Sequence, residues 1–312
     1  MHEEDVRARR LDALLAQVRR DAAQLTLLRE EPMCRHTTFR IGGPAQVFAQ
    51  PAGAREAAVL ARACAAHAVP LLVVGNGSNL LVHDAGIRGV VLHVGGAMAE
   101  AHVQGTQLVS QAGLSLAAAA RLAARHGLAG LAFAEGIPGT LGGGAAMNAG
   151  AYGGEMAQVV ACVTLTDRQG AVRTLSAKEM QYGYRHSAVL AHEWIVTDVT
   201  LALAPGDAGQ IEQEMRRIAQ ERRAKQPLQW PSAGSAFKRP AQGYAAQLID
   251  QAGLKGLCVG GAQVSPLHAG FIVNTGAATA ADVLALMETV RERVLAHSGV
   301  ALEPEIRVVG GA

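Results

Sequence analysis

The chain has 312 residues, of which 50% are hydrophobic but only 4% aromatic, with 28 Lys+Arg against 26 Asp+Glu. The apolar fraction and low charge exclude a mainly disordered chain, and no apolar run reaches the roughly 18 uninterrupted residues of a membrane span. A formal charge of +2 gives no reason to expect a nucleic-acid partner.

Residues 3–30 are charged but carry Leu11, Leu14, Leu15 and Val18 at helical spacing, which predicts an N-terminal helix packed on one face, with a frayed extension as the alternative. From Thr38 the pattern turns to strands (45–49, 69–74, 89–94, 103–112) and short helices (55–67, 116–126). A glycine-dense loop is expected over 136–154, then a hairpin of 159–167 and 171–175 around Gln169-Gly170, and a strand at 193–203. Composition shifts at Ala204-Pro205-Gly206 ahead of a charged helix at 211–225, so the domain boundary is placed there. The remainder reads as strand, helix (244–251), two strands, helix (281–297) and strand. Cys34, Cys64, Cys162 and Cys258 are dispersed and form no C-x-x-C, and the N-terminus is too charged for a secretory signal. Reduced thiols, no metal site and a cytoplasmic location are the expectations.

Two glycine-rich loops carry most of the functional signal. Gly75-Asn76-Gly77-Ser78-Asn79-Leu80 follows an apolar strand, and its glycines let backbone N–H groups converge on an anion such as pyrophosphate. It is not the Rossmann fingerprint, because Leu80 stands where that pattern wants Gly or Ala and a strand-like Leu80-Leu81-Val82 follows instead of a helix. The second loop holds Gly136, Ile137, Pro138, Gly139, Thr140, Gly142 and Gly143, and runs on through Asn148, Gly150, Tyr152, Gly153 and Gly154. A loop of that length needs a reason to be ordered, and a dinucleotide or sugar nucleotide lying against its backbone is one. A plain glycine turn in a β-rich domain is the alternative for the first loop taken alone.

Three polar stretches could carry chemistry: Tyr184-Arg185, Gly234-Ser235-Ala236-Phe237-Lys238-Arg239-Pro240, and Leu302-Glu303-Pro304-Glu305. The flanks of Ser235 do not fit G-x-S-x-G, so a proton-relaying hydroxyl is favoured over a hydrolase nucleophile. Arg185 could stabilise a developing enolate, and Lys238 with Arg239 would suit phosphate. Each also has an ordinary reading: a capping serine, a surface arginine, a solvated glutamate.

Together these stretches, with His36-Thr37-Thr38-Phe39-Arg40-Ile41-Gly42-Gly43, Asn148-Ala149-Gly150-Ala151-Tyr152-Gly153 and His268-Ala269-Gly270-Phe271, resemble the bacterial UDP-N-acetylenolpyruvoylglucosamine reductases (UDP-N-acetylmuramate dehydrogenases) in the family's order. The resemblance implies an α+β fold: a vanillyl-alcohol-oxidase-type FAD-binding domain of two α+β subdomains, followed by a C-terminal α+β substrate-binding domain. Residues 1–32 would be a helical extension, 33–205 the FAD-binding domain (split near 95–100), and 206–312 the substrate domain. The short stretch between Ser187 and Ser232, and the few residues after Arg307, suit the shorter class of the family, which lacks a Tyr-bearing loop over the substrate.

The resemblance further implies non-covalent FAD on Gly75–Leu80 and on Gly136, Ile137, Gly139, Thr140, Gly142 and Gly143, with NADPH as reductant. A hydride would pass from flavin N5 to the enolpyruvyl methylene carbon of UDP-N-acetylglucosamine enolpyruvate, giving UDP-N-acetylmuramate for peptidoglycan. Arg185 and a protonated Glu305 would stabilise the enolate, and Ser235 would protonate the carbanionic carbon. Tyr184, Lys238 and Arg239 would contact substrate; relatives with Asn at 239 leave the detail of the Arg239 contact open. A monomer, with neither nucleic acid nor membrane as partner, completes the expectation. An oxidase of the same fold and a flavin-free sugar-nucleotide binder are the competing readings.

Overall fold

The computed structural model describes residues 3–311. The chain divides into two compact units, the first comprising residues 3–29, Val47–Asn76 and Gly89–Ala219, the second Glu30–Gln46, Gly77–Arg88 and residues 220–311.

In the first unit a five-stranded antiparallel sheet runs in the order Val172–Ser176, Val160–Thr166, Ile195–Ala202, Gln107–Gln111, Ala101–Gln104. The hairpin around Gln169-Gly170 is present, with Gly170 N–H donating to the Asp167 carbonyl. The expected strand 103–112 is instead the hairpin Ala101–Gln104/Gln107–Gln111, because Gly105 adopts φ +59° and reverses the chain. Leu71–Val74 pairs in parallel with the Ile87–His93 strand, with Leu71 opposite Val90.

Alanine gives this unit its close packing. Helix Ala54–Ala66 buries Ala57, Leu60, Ala61 and Cys64, and helix Leu116–Arg125 buries Ala119, Ala120, Ala123 and Ala124. Residues at i, i+3 and i+4 form one helix face, and methyl-sized side chains let that face approach its neighbours closely. Helix Ala208–Lys225 adds Ile211, Met215 and Ile218 to the same core.

The N-terminal helix is packed, with Leu14 and Val18 fully buried, but it is shorter than the 3–30 pattern. It ends at Asp21, and Thr26–Pro32 is a strand. The turn at 22–25 is closed by Leu25 N–H on the Ala22 carbonyl.

Burial pushes the Cys64 thiol up to about 12, whereas Cys258 is exposed. Because only thiolate attacks a disulfide reagent, DTNB at about pH 8 is expected to modify Cys258 in the native protein and to leave Cys64 unreacted until denaturant is added. Absorbance at the thionitrobenzoate band, with peptide mapping, checks this.

The second unit holds an antiparallel sheet in the order Ser232–Ser235, Phe271–Asn274, Ala262–Val264, Cys258–Val259. Helix Ala280–Ser298 supplies Val283, Leu286, Met287, Val290 and Val294 to its core. Separately, Leu80–Val82 pairs in parallel with Arg307–Val309.

The start of helix Ala280–Ser298 is unusually well satisfied. Thr279 and Asp282 form a capping box, and the Asp84 carboxylate accepts from Ala280 N at 2.8 Å and Ala281 N at 3.1 Å. Backbone hydrogen bonds, the Thr279 amide first, lower the pKa of Asp282. Asp84→Ala strands two helix N-terminal donors and removes a negative charge from the positive end of the dipole, so it should cost about 1–2 kcal/mol. Urea unfolding checks this; an unchanged midpoint would show that the Thr279/Asp282 box suffices alone.

Candidate functional site

The two glycine loops meet inside the first unit. Strand Leu71–Val74 ends at Gly75, where an added Cβ would lie 2.5 Å from Thr140 Oγ1. Next to it Asn76 Nδ2 donates to the Pro138 carbonyl at 3.1 Å. Thr140 is 1% exposed and caps helix Leu141–Met147, its hydroxyl accepting from Gly143 N at 3.2 Å. The glycine-dense segment is therefore not all loop. Three consecutive glycines disfavour a helix, but packing overrides the propensity: a Cβ on Gly142 would sit 2.6 Å from Ala112 Cβ, and one on Gly144 3.0 Å from Leu116 Cδ1.

Within this segment Gly142 N–H donates to the Ala112 carbonyl, and the Gly139 carbonyl accepts from Leu116 N. Gly136, at φ +78°, and Ile137 precede this anchored stretch, and Ile137 packs against the unit's core. The amides of Gly75, Asn76, Gly77 and Ser78, and those of Gly139 and Thr140, donate to no backbone carbonyl among the described residues. Unpaired backbone N–H groups on a glycine-rich turn are what a phosphate anion requires.

Gly77 and Ser78 belong to the second unit. Gly77 has φ +59°, and a Cβ there would collide with the His36 carbonyl oxygen and stand 2.9 Å from Thr37 Cα. Leu80 N–H turns back to the Gly77 carbonyl at 3.4 Å as the strand begins.

Asn79 links the loop to the second unit's chemistry. Its Nδ2 donates to the Glu305 carbonyl at 3.1 Å, and its carbonyl accepts from Arg307 N at 2.9 Å. Ser235 ends strand Ser232–Ser235, where Gly234 at φ +78° introduces a register shift and Ser235 pairs with Phe271. Immediately after it, Glu305 N donates to the Ala236 carbonyl at 2.9 Å, Phe237 bridges Pro304, and Lys238 N donates to the Glu303 carbonyl. Ser235, Asn79 and Glu305 are thus held on adjoining backbone, with Ser235 exposed and Glu305 half-buried.

Lys238 Nζ reaches Glu303 Oε2 at 3.2 Å, an exposed pair of little energetic weight. The Arg239 guanidinium stacks over the Tyr244 ring at 4.2 Å. His268 accepts from Gly270 N through Nδ1 and stands edge-on to Phe271; burial, then the Lys255 charge, lowers its pKa.

Arg185 lies in the first unit, in the Tyr184-Arg185 turn closed by reciprocal Gly183/His186 hydrogen bonds, with its guanidinium 5.1 Å from the Tyr184 ring centroid. The structure therefore brings Ser235 and Glu305 together in one unit and holds Arg185 in the other. Asn79, expected at the cofactor, is found to hold the Glu305 carbonyl as well. Asn148, legible in the sequence only as part of a glycine-rich run, is a supporting residue whose hydrogen bonds local pattern does not reveal. A left-handed Asn after a Gly/Ala stretch is a C-cap signal that was available for Asn148.

No group of three or more His, Cys, Asp or Glu among the described residues could hold a metal ion, and no described helix is long and apolar enough to cross a membrane. Unpaired amides beside glycines that admit no Cβ do fit FAD.

Comparison with known proteins points the same way. Residues 45–176, which include both glycine loops, match the FAD binding domain model, and residues 226–309, which include Ser235 and Glu305, match the model of the UDP-N-acetylenolpyruvoylglucosamine reductase C-terminal domain. The chain is 50% identical over 284 residues to the UDP-N-acetylenolpyruvoylglucosamine reductase of Heliobacterium modesticaldum, covering 91% of this chain and 90% of the relative. It is 48% identical over 280 residues to that of Caldanaerobacter subterraneus, covering 90% and 92%. The crystal structure of the Thermus caldophilus enzyme superimposes with a TM-score of 0.78 at 35% identity, covering 91% of this chain and 98% of that one. With an α+β FAD-binding domain, a reductase-specific C-terminal domain and 50% identity over 91% of its length to a curated relative, the chain belongs to the UDP-N-acetylenolpyruvoylglucosamine reductase family and is an FAD-dependent oxidoreductase.

Proposed function

We propose that the chain uses NADPH to reduce UDP-N-acetylglucosamine enolpyruvate to UDP-N-acetylmuramate, a step of peptidoglycan precursor synthesis, as a monomeric cytoplasmic enzyme. The observation that carries this reading is the Ser235–Asn79–Glu305 arrangement, in which a hydroxyl donor and a carboxyl group are joined through the backbone to a glycine loop with unpaired amides. An oxidase has no carbanion to protonate and no use for such a donor.

In this reading residues 33–205 hold FAD and 206–312 hold the sugar nucleotide. The amides of 75–78 and of Gly139 and Thr140 take the pyrophosphate, while Gly136, Ile137, Gly142 and Gly143 let the backbone approach the cofactor. When bound, FAD supplies two-electron transfer from NADPH to the enolpyruvyl methylene carbon. The chain's own residues manage the charge that this creates. Arg185 offers a cation that does not titrate, and Glu305 donates a hydrogen bond to the enolate. Ser235 gives a proton to the adjacent carbon, completing addition of hydride and proton across the double bond. Tyr184, Lys238 and Arg239 hold the substrate, the two cations at its diphosphate.

Purified protein should be yellow, should bleach anaerobically on adding NADPH, and should regain colour on adding UDP-N-acetylglucosamine enolpyruvate. A protein that cannot be reconstituted with FAD, or whose reduced flavin is reoxidised by oxygen but not by this substrate, overturns the reading.

A further inference from the structure

The turn that carries Arg185 is a strained piece of backbone. Arg185 has φ +54°, a left-handed conformation that costs a residue with a side chain about 1 kcal/mol or more. Something must hold it, and the holder is buried beside the flavin loop. Asn148 is 2% exposed and, at φ +45°, ends helix Leu141–Met147. Its Nδ2 donates to the Gly183 carbonyl at 3.1 Å, and its Oδ1 accepts from Ala157 N at 2.9 Å. Ser187, fully buried on the other side of the turn, donates its hydroxyl proton to the Ala146 carbonyl at 2.6 Å.

We propose that Asn148 is a positioning residue for Arg185: its buried carboxamide pins the 183–186 turn to the end of helix Leu141–Met147 and so fixes the direction of the guanidinium. The same helix is capped by Thr140, whose hydroxyl fills the space a Cβ on Gly75 would need. One seven-residue element thus connects the cofactor loop at its N-terminal end with the Arg185 turn at its C-terminal end. Only a carboxamide answers the local demand, since it offers a donor and an acceptor on one short side chain that tolerates the left-handed region. The inference rests on the role proposed above for Arg185.

Asn148→Asp is the discriminating variant. It keeps the acceptor for Ala157 N and the backbone preference, but places an oxygen against the Gly183 carbonyl. Stopped-flow is expected to show flavin reduction by NADPH within about twofold of wild type and reoxidation by UDP-N-acetylglucosamine enolpyruvate slowed about 10–100-fold, the cost of a misplaced catalytic group. The double variant Asn148→Asp/Arg185→Ala should be no slower than Arg185→Ala alone, because coupled residues are non-additive. Independently of turnover, hydrogen exchange at the Gly183 and His186 amides should quicken in Asn148→Asp, with or without FAD. If Asn148→Asp does not fold, Ser187→Ala loosens the same turn and takes the same measurements. Additive rates in the double variant, equal slowing of both half-reactions, or unchanged exchange overturns the inference. Slow reoxidation in Arg185→Ala with wild-type behaviour in Asn148→Asp sinks the inference alone. Wild-type reoxidation in Arg185→Ala removes the proposed role of Arg185, and the inference with it.

Discussion

Ser235→Ala is expected to leave flavin reduction by NADPH within about twofold of wild type while slowing reoxidation by UDP-N-acetylglucosamine enolpyruvate about 10²–10⁴-fold, the usual range for removing a placed general acid. The substitution is small and should not disturb its surroundings. Ser235 is exposed at the end of its strand, while the backbone that places it is set by the Phe271 pairing and by Glu305 N–H on the Ala236 carbonyl. Neither contact uses the hydroxyl. The two half-reactions separate the roles because only the second has a carbon to protonate. Stopped-flow at the flavin absorbance measures both, and equal slowing of the two would reject Ser235 as the proton donor. Ser235→Cys, which restores an X–H donor of different acidity, should recover part of the lost rate; Ser235→Gly should recover none.

The sequence made the motifs legible but not the way the fold connects them. Period and punctuation located the helices now seen at Ala54–Ala66 and Leu116–Arg125, because an alanine face with a polar back has one stable use. The same reading ran straight through Gly105, where a single positive φ turns one strand into two. It also missed helix Leu141–Met147, whose glycines are there for contact with Ala112 and Leu116, residues that no local window includes. The placing of Glu305 beside the Ser235 segment, through Glu305 N–H on the Ala236 carbonyl, lay outside local pattern for the same reason. Asn79 and Glu305 are 226 positions apart, and only the folded backbone shows that the carboxamide of one holds the carbonyl of the other. Family resemblance could nominate Arg185, Ser235 and Glu305, but the residues that hold them, Asn79 and Asn148, come from hydrogen bonds. Composition was informative in a different way. Scarce aromatics and abundant glycine suit the proposed cofactor loops, where backbone amides and not rings would meet the flavin.

Gly77→Ala tests that last point most directly, because a single methyl should cost the protein its flavin. Two effects act at this position. Alanine at φ +59° is strained by about 1–2 kcal/mol, and its Cβ would also collide with the His36 carbonyl and crowd Thr37 Cα at 2.9 Å. Both neighbours are backbone, so neither can rotate away; the loop itself must move. The unpaired amides of 75–78 then shift with it, and the proposed anion site, misplaced by about 1 Å, forfeits most of its charge-assisted hydrogen bonds. Gly105→Ala separates the two effects, since Gly105 has the same φ of +59° with nothing within 4 Å of the added Cβ. The control should lose about 1–2 kcal/mol of stability and keep a full complement of FAD. Gly77→Ala should fold, with a lower melting temperature, and be isolated nearly colourless, its FAD dissociation constant raised by about 100-fold or more, or about 2.7 kcal/mol. The ratio of absorbance at the flavin band to that at the protein band, followed by FAD titration of the apo protein, measures the difference. If Gly77→Ala retains flavin as fully as Gly105→Ala does, the 75–78 amides do not hold the pyrophosphate, and the cofactor must be sought on other backbone.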